Sequence, residues 1–169
     1  MMEHIERVYR RMLMVVRSGQ MTLVNDQKPT QQMQIQLSQV EVLDGMPRLA
    51  EYGFQSVPPA GADIVALFPA GNLSDGVVIA TGHQTWRLRA LATGEVAISD
   101  DKGQRVYLSA AGIRIDGGSL PVQINTTGGL TINADTTING SVTANGHRID
   151  QTHKHSGVRA GTDLTGAVT

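Results

Sequence analysis

Two histidines, His153 and His155, stand two residues apart near the end of the chain. If this stretch is a β-strand, both imidazoles point to the same face, because side chains along a strand alternate. One chain then supplies two ligands, which is too few for a closed metal site. Three copies around a threefold axis would supply six imidazoles in an octahedral arrangement. The pair therefore predicts a metal site only in a trimer, and otherwise indicates two surface histidines on a β edge.

Composition excludes several function classes. The chain has 169 residues, a formal net charge of −1 and no cysteine. A near-neutral chain has no global field that recruits nucleic acid or acidic lipid. Without cysteine there is neither a disulfide framework nor a thiolate metal site. The apolar run of residues 12–16 is too short for a signal-peptide core or a membrane span, so we expect a chain that is made as a soluble protein.

An amphipathic helix is predicted at residues 2–17, within an N-terminal segment of residues 1–19. Ile5, Val8, Met12 and Val15 lie near helical spacing, and Gly19 follows as a stop. A helix this short needs a partner surface to be stable. That surface belongs either to its own domain or to a neighbouring subunit, and the sequence favours neither.

Residues 20–84 predict a small β-barrel of the OB type. Strand-like runs alternate with turn signals at Asp44-Gly45 and at residues 58–61, and five or so strands fit in the segment. Many such barrels bind single-stranded nucleic acid through basic grooves and stacked aromatics. This segment is acidic, with two basic residues against six acidic ones, and two of its three aromatics, Tyr52, Phe54 and Phe68, fit core positions. A nucleic-acid role is therefore disfavoured.

The tail has a continuous register. From residue 120 to residue 146, every large aliphatic residue falls on an even-numbered position, and polar Gln, Asn, Thr and Asp occupy odd ones. The phase is kept through Gly128-Gly129 and Asn139-Gly140, which fits strands that run on in one direction and bend at glycines. No aromatic residue follows Tyr107, as expected for an interior too narrow for rings. The even-numbered residues are Leu120, Val122, Ile124, Leu130, Ile132, Ile138 and Val142.

This tail is too poor in aliphatic residues to fold alone. Burying its few large aliphatic side chains contributes less free energy than ordering its backbone costs. Other chains must supply buried surface and ladder partners, and a threefold intertwined β-prism does so without unpaired edges. Near Gly146 the parity switches, which places His147, Ile149, His153 and His155 on one face. If that face points to the threefold axis, the histidines converge.

Five stretches carry a resemblance to a known family. They are residues 51–58 (EYGFQSVP), 76–82 (GVVIATG), 94–104 (GEVAISDDKGQ), 112–117 (GIRIDG) and 152–155 (THKH). In this order they resemble the central spike of Mu-like contractile phage tails, also called baseplate assembly protein V. The resemblance covers nearly the whole chain, and the ordered series is more specific than any single stretch.

The resemblance implies an all-β homotrimer with a short N-terminal helix. An OB-fold barrel at residues 20–84 would lie near the baseplate hub and tail tube, followed by an intertwined β-helix or β-prism shaft at residues 85–152 and a metal-binding tip at residues 153–169. His153 and His155 would hold one iron ion in six imidazoles. Some spikes also bind calcium and chloride near the apex, and Asp163 is the candidate calcium ligand. The protein would be made in the host cytoplasm and would act in the virion, at the tip of the tail baseplate.

The chemistry of the histidine site agrees in part with this implication. Six neutral imidazoles suit octahedral Fe(II), Ni or Co better than zinc, and the residues alone do not choose among these ions. A saturated site leaves no position for substrate, so it would be structural. No enzyme is indicated: no Gly-x-Ser-x-Gly elbow is present. His83 beside Trp86 is expected to pack at the domain junction, and His4 and Glu6 to be solvated.

Two function classes remain open at this point. The first is a rigid spike driven through the host outer membrane by sheath contraction. The second is a trimeric receptor-binding fibre or adhesin. Fibres usually end in a recognition head with aromatics or loops, whereas only fourteen small and polar residues follow His155. The spike is therefore the favoured function.

Overall fold

The computed structural model describes residues 2–150 and Gly161. Within this part the chain is mostly β, with one short helix at its N-terminus, as expected, and it divides into two compact units after Gln123. No helix in the described part is both long and apolar enough to cross a membrane. The helix and strands are α1 (Met2–Leu13), β1 (Val16–Asn25), β2 (Gln32–Ser38), β3 (Glu41–Pro47), β4 (Asp63–Leu67), β5 (Val77–Gly82), β6 (Val96–Ser99), β7 (Arg105–Ser109), β8 (Gly112–Asp116), β9 (Val142–Ala144) and β10 (His147–Ile149).

The helix is shorter than the sequence indicated. It ends at Leu13, and residues 16 and 17, expected to be helical, begin β1 instead. The N–H of Phe68 donates to the carbonyl of Val15 over 2.8 Å, and Val16 pairs with Leu67. Val15 and Val16 therefore bond to the sheet and do not extend the helix. Both are β-branched, and their stiff side chains suit a strand better than a helix. No residue of the helix is buried, so its apolar side chains remain exposed.

Five strands form the first sheet, as the strand-like runs predicted. Its order is β3-β2-β1-β4-β5, and every neighbouring pair is antiparallel. β1 is long enough to pair with β4 through residues 16–20 and with β2 through residues 20–25. The two outer strands also meet, because Arg48 forms a parallel bridge with Val78 and the N–H of Leu49 donates to the Val78 carbonyl over 3.0 Å. The sheet thus curls until its edges touch.

The curled sheet encloses a compact apolar core. Phe68, Ile35 and Val78 are completely buried, and no polar or charged side chain is buried in the described residues. Only one of the three aromatics enters this core, so the expectation of two was wrong: Tyr52 and Phe54 are exposed on the loop after β3. The core consists of Met21, Met33, Ile35, Met46, Ala62, Ile64, Ala66, Phe68 and Val78.

The predicted turn at Asp44-Gly45 is a bulge inside β3. Met33 pairs with Met46 and Ile35 with Leu43, so two residues of β3 face one residue of β2. Gly45 supplies the positive φ of 67° that such a bulge needs. The chain actually reverses before β3, at residues 39–40. A Gly after Asp has the same local signature in a bulge as in a hairpin turn, and only the pairing distinguishes them.

Candidate assembly surface

A second sheet of three strands, β6-β7-β8, follows the first in the same compact unit. Antiparallel pairing aligns its residues in cross-strand rows, and alternation sends successive side chains to opposite faces. One face carries only aliphatic side chains, in two rows of three. The first row is Val96, Leu108 and Ile113, and the second is Ile98, Val106 and Ile115.

This aliphatic face has no cover within one chain. Its least exposed member, Val106, is 36% exposed, and Ile113 is 72% exposed. Six large aliphatic side chains on one flat face form an apolar patch of the kind that marks an interaction site. These residues were not predicted from the sequence. Their signal was present as three apolar-x-apolar pairs, at positions 96 and 98, 106 and 108, and 113 and 115.

The opposite face of the same sheet carries a polar cluster, which we call the polar clasp: Glu95, Arg105, Tyr107, Arg114 and Asp116. The Nε of Arg105 donates to the Asp116 carboxylate over 2.7 Å, and a guanidinium nitrogen of Arg114 reaches the same group over 3.1 Å. The Tyr107 hydroxyl donates to the Glu95 carboxylate. These contacts join all three strands on the side that faces away from the aliphatic rows.

The clasp shifts the ionisation of its own members. Hydrogen bonding from Arg105, with help from Arg114, lowers the pKa of Asp116. The Tyr107 hydroxyl lowers the pKa of Glu95, while the Glu95 carboxylate raises the pKa of Tyr107. Each carboxylate is therefore held in its charged, hydrogen-bonding form.

Residues 119–141, which we call the extended segment, form no strand within the chain. β8 ends in a turn at Gly117-Gly118, where the N–H of Leu120 donates to the Gly117 carbonyl over 3.0 Å. Every residue of the segment is exposed, including the aliphatic residues of the even register. Ile132 is 60% exposed and Ile138 is 58% exposed. A backbone without ladder partners and a row of uncovered aliphatics are what the sequence predicted for a single copy.

The parity switch near Gly146 coincides with a hairpin. β9 and β10 are antiparallel and are joined by Asn145-Gly146, both at positive φ (50° and 81°). Ile149 pairs with Val142 and His147 with Ala144, so the even face of β9 continues onto odd positions of β10. The position of the switch was predicted correctly, whereas the reversal of chain direction was not. Asn-Gly is a strong signal for this type of tight turn.

The predicted metal ligands His153, His155 and Asp163 lie outside the described residues. Within residues 2–150 and at Gly161, no group of three or more His, Asp or Glu side chains is placed to hold a metal ion. His83 contacts Trp86 with ring centroids 6.2 Å apart, and its Nδ1 accepts from the Thr85 N–H over 3.3 Å. His4 and Glu6 are exposed on α1, as expected.

Arg48 holds the loop that carries the exposed aromatics. Its guanidinium donates to the Ser56 carbonyl over 2.6 Å, to the Gln31 side chain over 2.8 Å and to the Thr81 hydroxyl over 3.0 Å. Partial burial lowers the pKa of Arg48, and Asp26 opposes that shift. Arg48 is therefore half-buried, and its guanidinium is committed to hydrogen bonds within the fold.

Comparison with known proteins links the first unit to phage tails. Residues 19–85 match the family described as Bacteriophage Mu Gp45, N-terminal. The chain is also 26% identical over 103 residues to the "Baseplate puncturing device gp45" of Escherichia phage Mu, an alignment that covers 61% of this chain. The chain spans about half of that relative, 52% of its length. The resemblance to Mu-like baseplate spikes is thereby confirmed.

Proposed function

We propose that this chain is the central spike of a contractile phage tail. Three copies would form a rigid body at the tip of the baseplate, which sheath contraction drives through the host cell envelope. The observation that carries the proposal is the uncovered aliphatic surface of a single copy, in a chain that resembles a baseplate puncturing device. Such a body works by shape and stiffness, so it needs no catalytic site.

The first sheet serves as an OB-fold domain, residues 20–84, that joins the spike to hub and tail-tube proteins. Its topology supports this proposal: β1 pairs with both β2 and β4, and the parallel bridge from Arg48 to Val78 connects the remaining edges. The family match falls on the same residues. The engaged Arg48 supports a protein-binding role over nucleic-acid binding.

Residues 85–152 serve as the shaft of a homotrimer, an intertwined β-helix or β-prism. Within one chain the extended segment has exposed N–H and C=O groups and exposed aliphatic side chains. Two further copies in the same register would supply ladder partners for these backbone groups and would cover these aliphatic side chains. The polar odd-numbered residues would then coat the outside of the shaft.

At the tip, His153 and His155 of three chains hold one transition metal ion, most simply iron. The donor set fits this role, because six neutral imidazoles saturate an octahedral ion and leave no open position. In the sequence, His147 and Ile149 share the odd parity of positions 153 and 155, so a strand that continued from β10 would place all four on one face. A bound ion would link three chain ends, where fraying otherwise begins.

Asp163 is the candidate ligand for a calcium ion near the apex, with chloride as a further ion there. Three carboxylates on one axis repel each other unless a cation lies between them, and hard oxygen ligands suit calcium. An experimental structure of the tip tests calcium binding by Asp163. An Asp163 carboxylate in solvent, far from the threefold axis and without an ion, would remove calcium from the proposal.

The location is tested by labelling intact contractile tails with a gold-conjugated antibody against this chain. Electron microscopy should show gold at the distal end of the baseplate. Label along the sheath or on the head would contradict the proposal. Phage that carry His153→Ala and His155→Ala should adsorb to cells normally but release less cellular potassium, because penetration is weakened. Loss of adsorption would instead indicate a receptor-binding fibre.

The metal is tested on the purified full chain, prepared without chelator. Elemental analysis should find one iron per three chains, and the same double substitution should remove it while the trimer persists. His147→Ala is the matched control, because this histidine shares the face but lies outside the paired motif. Iron that survives the double substitution, or metal-free wild-type protein, would overturn the site.

A further inference from the structure

We propose that three copies of the chain first meet through the aliphatic face of the β6–β8 sheet, and that residues 119–141 pair between chains only afterwards. This inference rests on the trimer of the proposed function and adds where that trimer begins. Its basis is a difference between two neighbouring parts of the shaft. The sheet is complete within one chain, whereas the extended segment is not.

The sheet is already ordered before any partner arrives. Its ladders run without a register shift from Val96 through β7 to Asp116, and all of them lie within one chain. The polar clasp ties the strands together on the back of the sheet. A copy that meets another therefore presents a shaped surface, and little backbone entropy remains to be lost on contact.

The extended segment is in the opposite state. In a single chain it has no ladder, so every residue it adds to an interface must be ordered at the moment of association. Such a segment pairs efficiently only after another contact has raised its effective concentration. The turn at Gly117-Gly118 joins it directly to β8, so docking of the sheet brings three such segments together.

The occupant of the aliphatic face is a further copy of this chain. All charged side chains of the sheet point to its other face, which leaves nothing on the aliphatic rows to recognise a charged or polar partner. The even register of the extended segment begins at Leu120, just after the turn that follows β8, and its aliphatic residues are uncovered as well. One threefold arrangement of identical chains covers both. The six side chains are neighbours on one face and each is at least 36% exposed, so they form a contiguous apolar patch of the kind that marks an interaction surface.

Two matched double variants of the full-length chain test this order of assembly. The first changes Ile113→Thr and Ile115→Thr on β8, which are 72% and 63% exposed. The second changes Ile132→Thr and Ile138→Thr in the extended segment, which are 60% and 58% exposed. Threonine keeps the β-branched shape and the preference for strands, so each variant removes apolar contact without disturbing the single chain.

The measurements are the oligomeric mass by native mass spectrometry and the rate of trimer formation after dilution from denaturant. We expect the β8 variant to form trimers at least tenfold more slowly than wild type, or to remain monomeric. The extended-segment variant should form trimers within about twofold of the wild-type rate. Circular dichroism and amide exchange in β6–β8 of the monomeric β8 variant serve as the folding control.

The possible outcomes distinguish a failure of this inference from a failure of the proposed function. Slowing by the extended-segment variant alone, by both variants equally or by neither would overturn nucleation at the sheet while leaving the trimer intact. A β8 variant whose sheet amides exchange freely would also overturn it, because the sheet would then depend on its partners to fold. A monomeric wild-type chain would overturn the trimer itself.

Discussion

The five-stranded sheet and the extended segment differ in whether a single chain pairs their backbone and covers their apolar side chains. In the first, residues 16–82 enclose their own core and the edge strands meet, so a single copy leaves few backbone groups unpaired. In the second, residues 119–141 bury no side chain and form no strand ladder inside the chain. Under the proposed trimer, the first part folds within one chain and the second part folds by association with other copies. The β6–β8 sheet lies between them, with complete ladders and an uncovered face.

The largest expected effect comes from a charge on the even register. Ile132→Asp would bury three carboxylates in one trimer, and each costs several kcal/mol when it is buried without a partner. Thr131→Asp is the matched control, because it lies on the polar parity one position earlier. We expect limited proteolysis within residues 119–141 to accelerate at least a hundredfold in Ile132→Asp.

The control variant should be cleaved at close to the wild-type rate. Equal sensitivity of the two variants would show that parity does not determine which side chains are inside. That result would break the comparison, because the extended segment would then have no buried face in the assembled protein.

The next largest effect concerns the enclosed core. Phe68 is completely buried, and its ring packs against Gly76 so closely that there is no room for a Cβ at that position. Phe68→Ala should therefore lower the free energy of unfolding of this domain by about 3–5 kcal/mol. Urea denaturation of the full chain measures this loss in the free energy of unfolding. Phe54→Ala, on the exposed loop, is the control and should change stability by less than about 0.5 kcal/mol.

The loss in Phe68→Ala should be independent of protein concentration, since the core belongs to one chain. A midpoint that rises with concentration would mean that the first sheet also depends on neighbouring copies. Both regions would then depend on other copies for their stability, and they would differ only in how strongly.

Several parts of this architecture were readable from the sequence. The shortage of large aliphatic residues in the tail predicted that one copy could not cover them, and in the described chain they are exposed. The number of strands in the first sheet was also predictable, since strand-like runs alternate with turn signals, although the Asp44-Gly45 signal falls inside β3. By contrast, the helix end was misplaced because Val15 and Val16 fit helical spacing, whereas their actual partner, β4, lies about fifty residues away. Long-range pairing overrides a local pattern there.

Other parts were missed for different reasons. Asp44-Gly45 was expected to be a turn because glycine adopts a positive φ both in a β-bulge and in a hairpin turn. The aliphatic face of β6–β8 was overlooked although its spacing is regular, since each strand shows only two apolar residues. The loop that carries Tyr52 and Phe54 is held by Arg48, whose hydrogen bonds reach Gln31 and Thr81 as well as Ser56. No local signal reports such a contact.

A smaller effect is expected from pH. The folded sheet lowers the pKa of Asp116 and of Glu95, so both groups stabilise it above their unfolded pKa values. That contribution is lost as pH falls through their folded pKa values. Amide exchange in β6–β8 should therefore accelerate on acidification below about pH 4, after correction for intrinsic exchange.

Asp116→Asn combined with Glu95→Gln should flatten this acid response, and Glu3→Gln on α1 should leave it unchanged. A response that persists in the double variant would assign the pH dependence to other groups. The polar clasp would then contribute little to the order of the sheet.

The central claim is that residues 119–141 gain their structure from other copies of the chain. Hydrogen exchange of these amides, measured by mass spectrometry on full-length protein whose oligomeric mass is determined in the same sample, tests it most directly. We predict a particle of three chains in which these amides are protected by a factor of at least a thousand. A folded monomer at micromolar concentration, or a trimer in which the same amides exchange within seconds, would contradict the account.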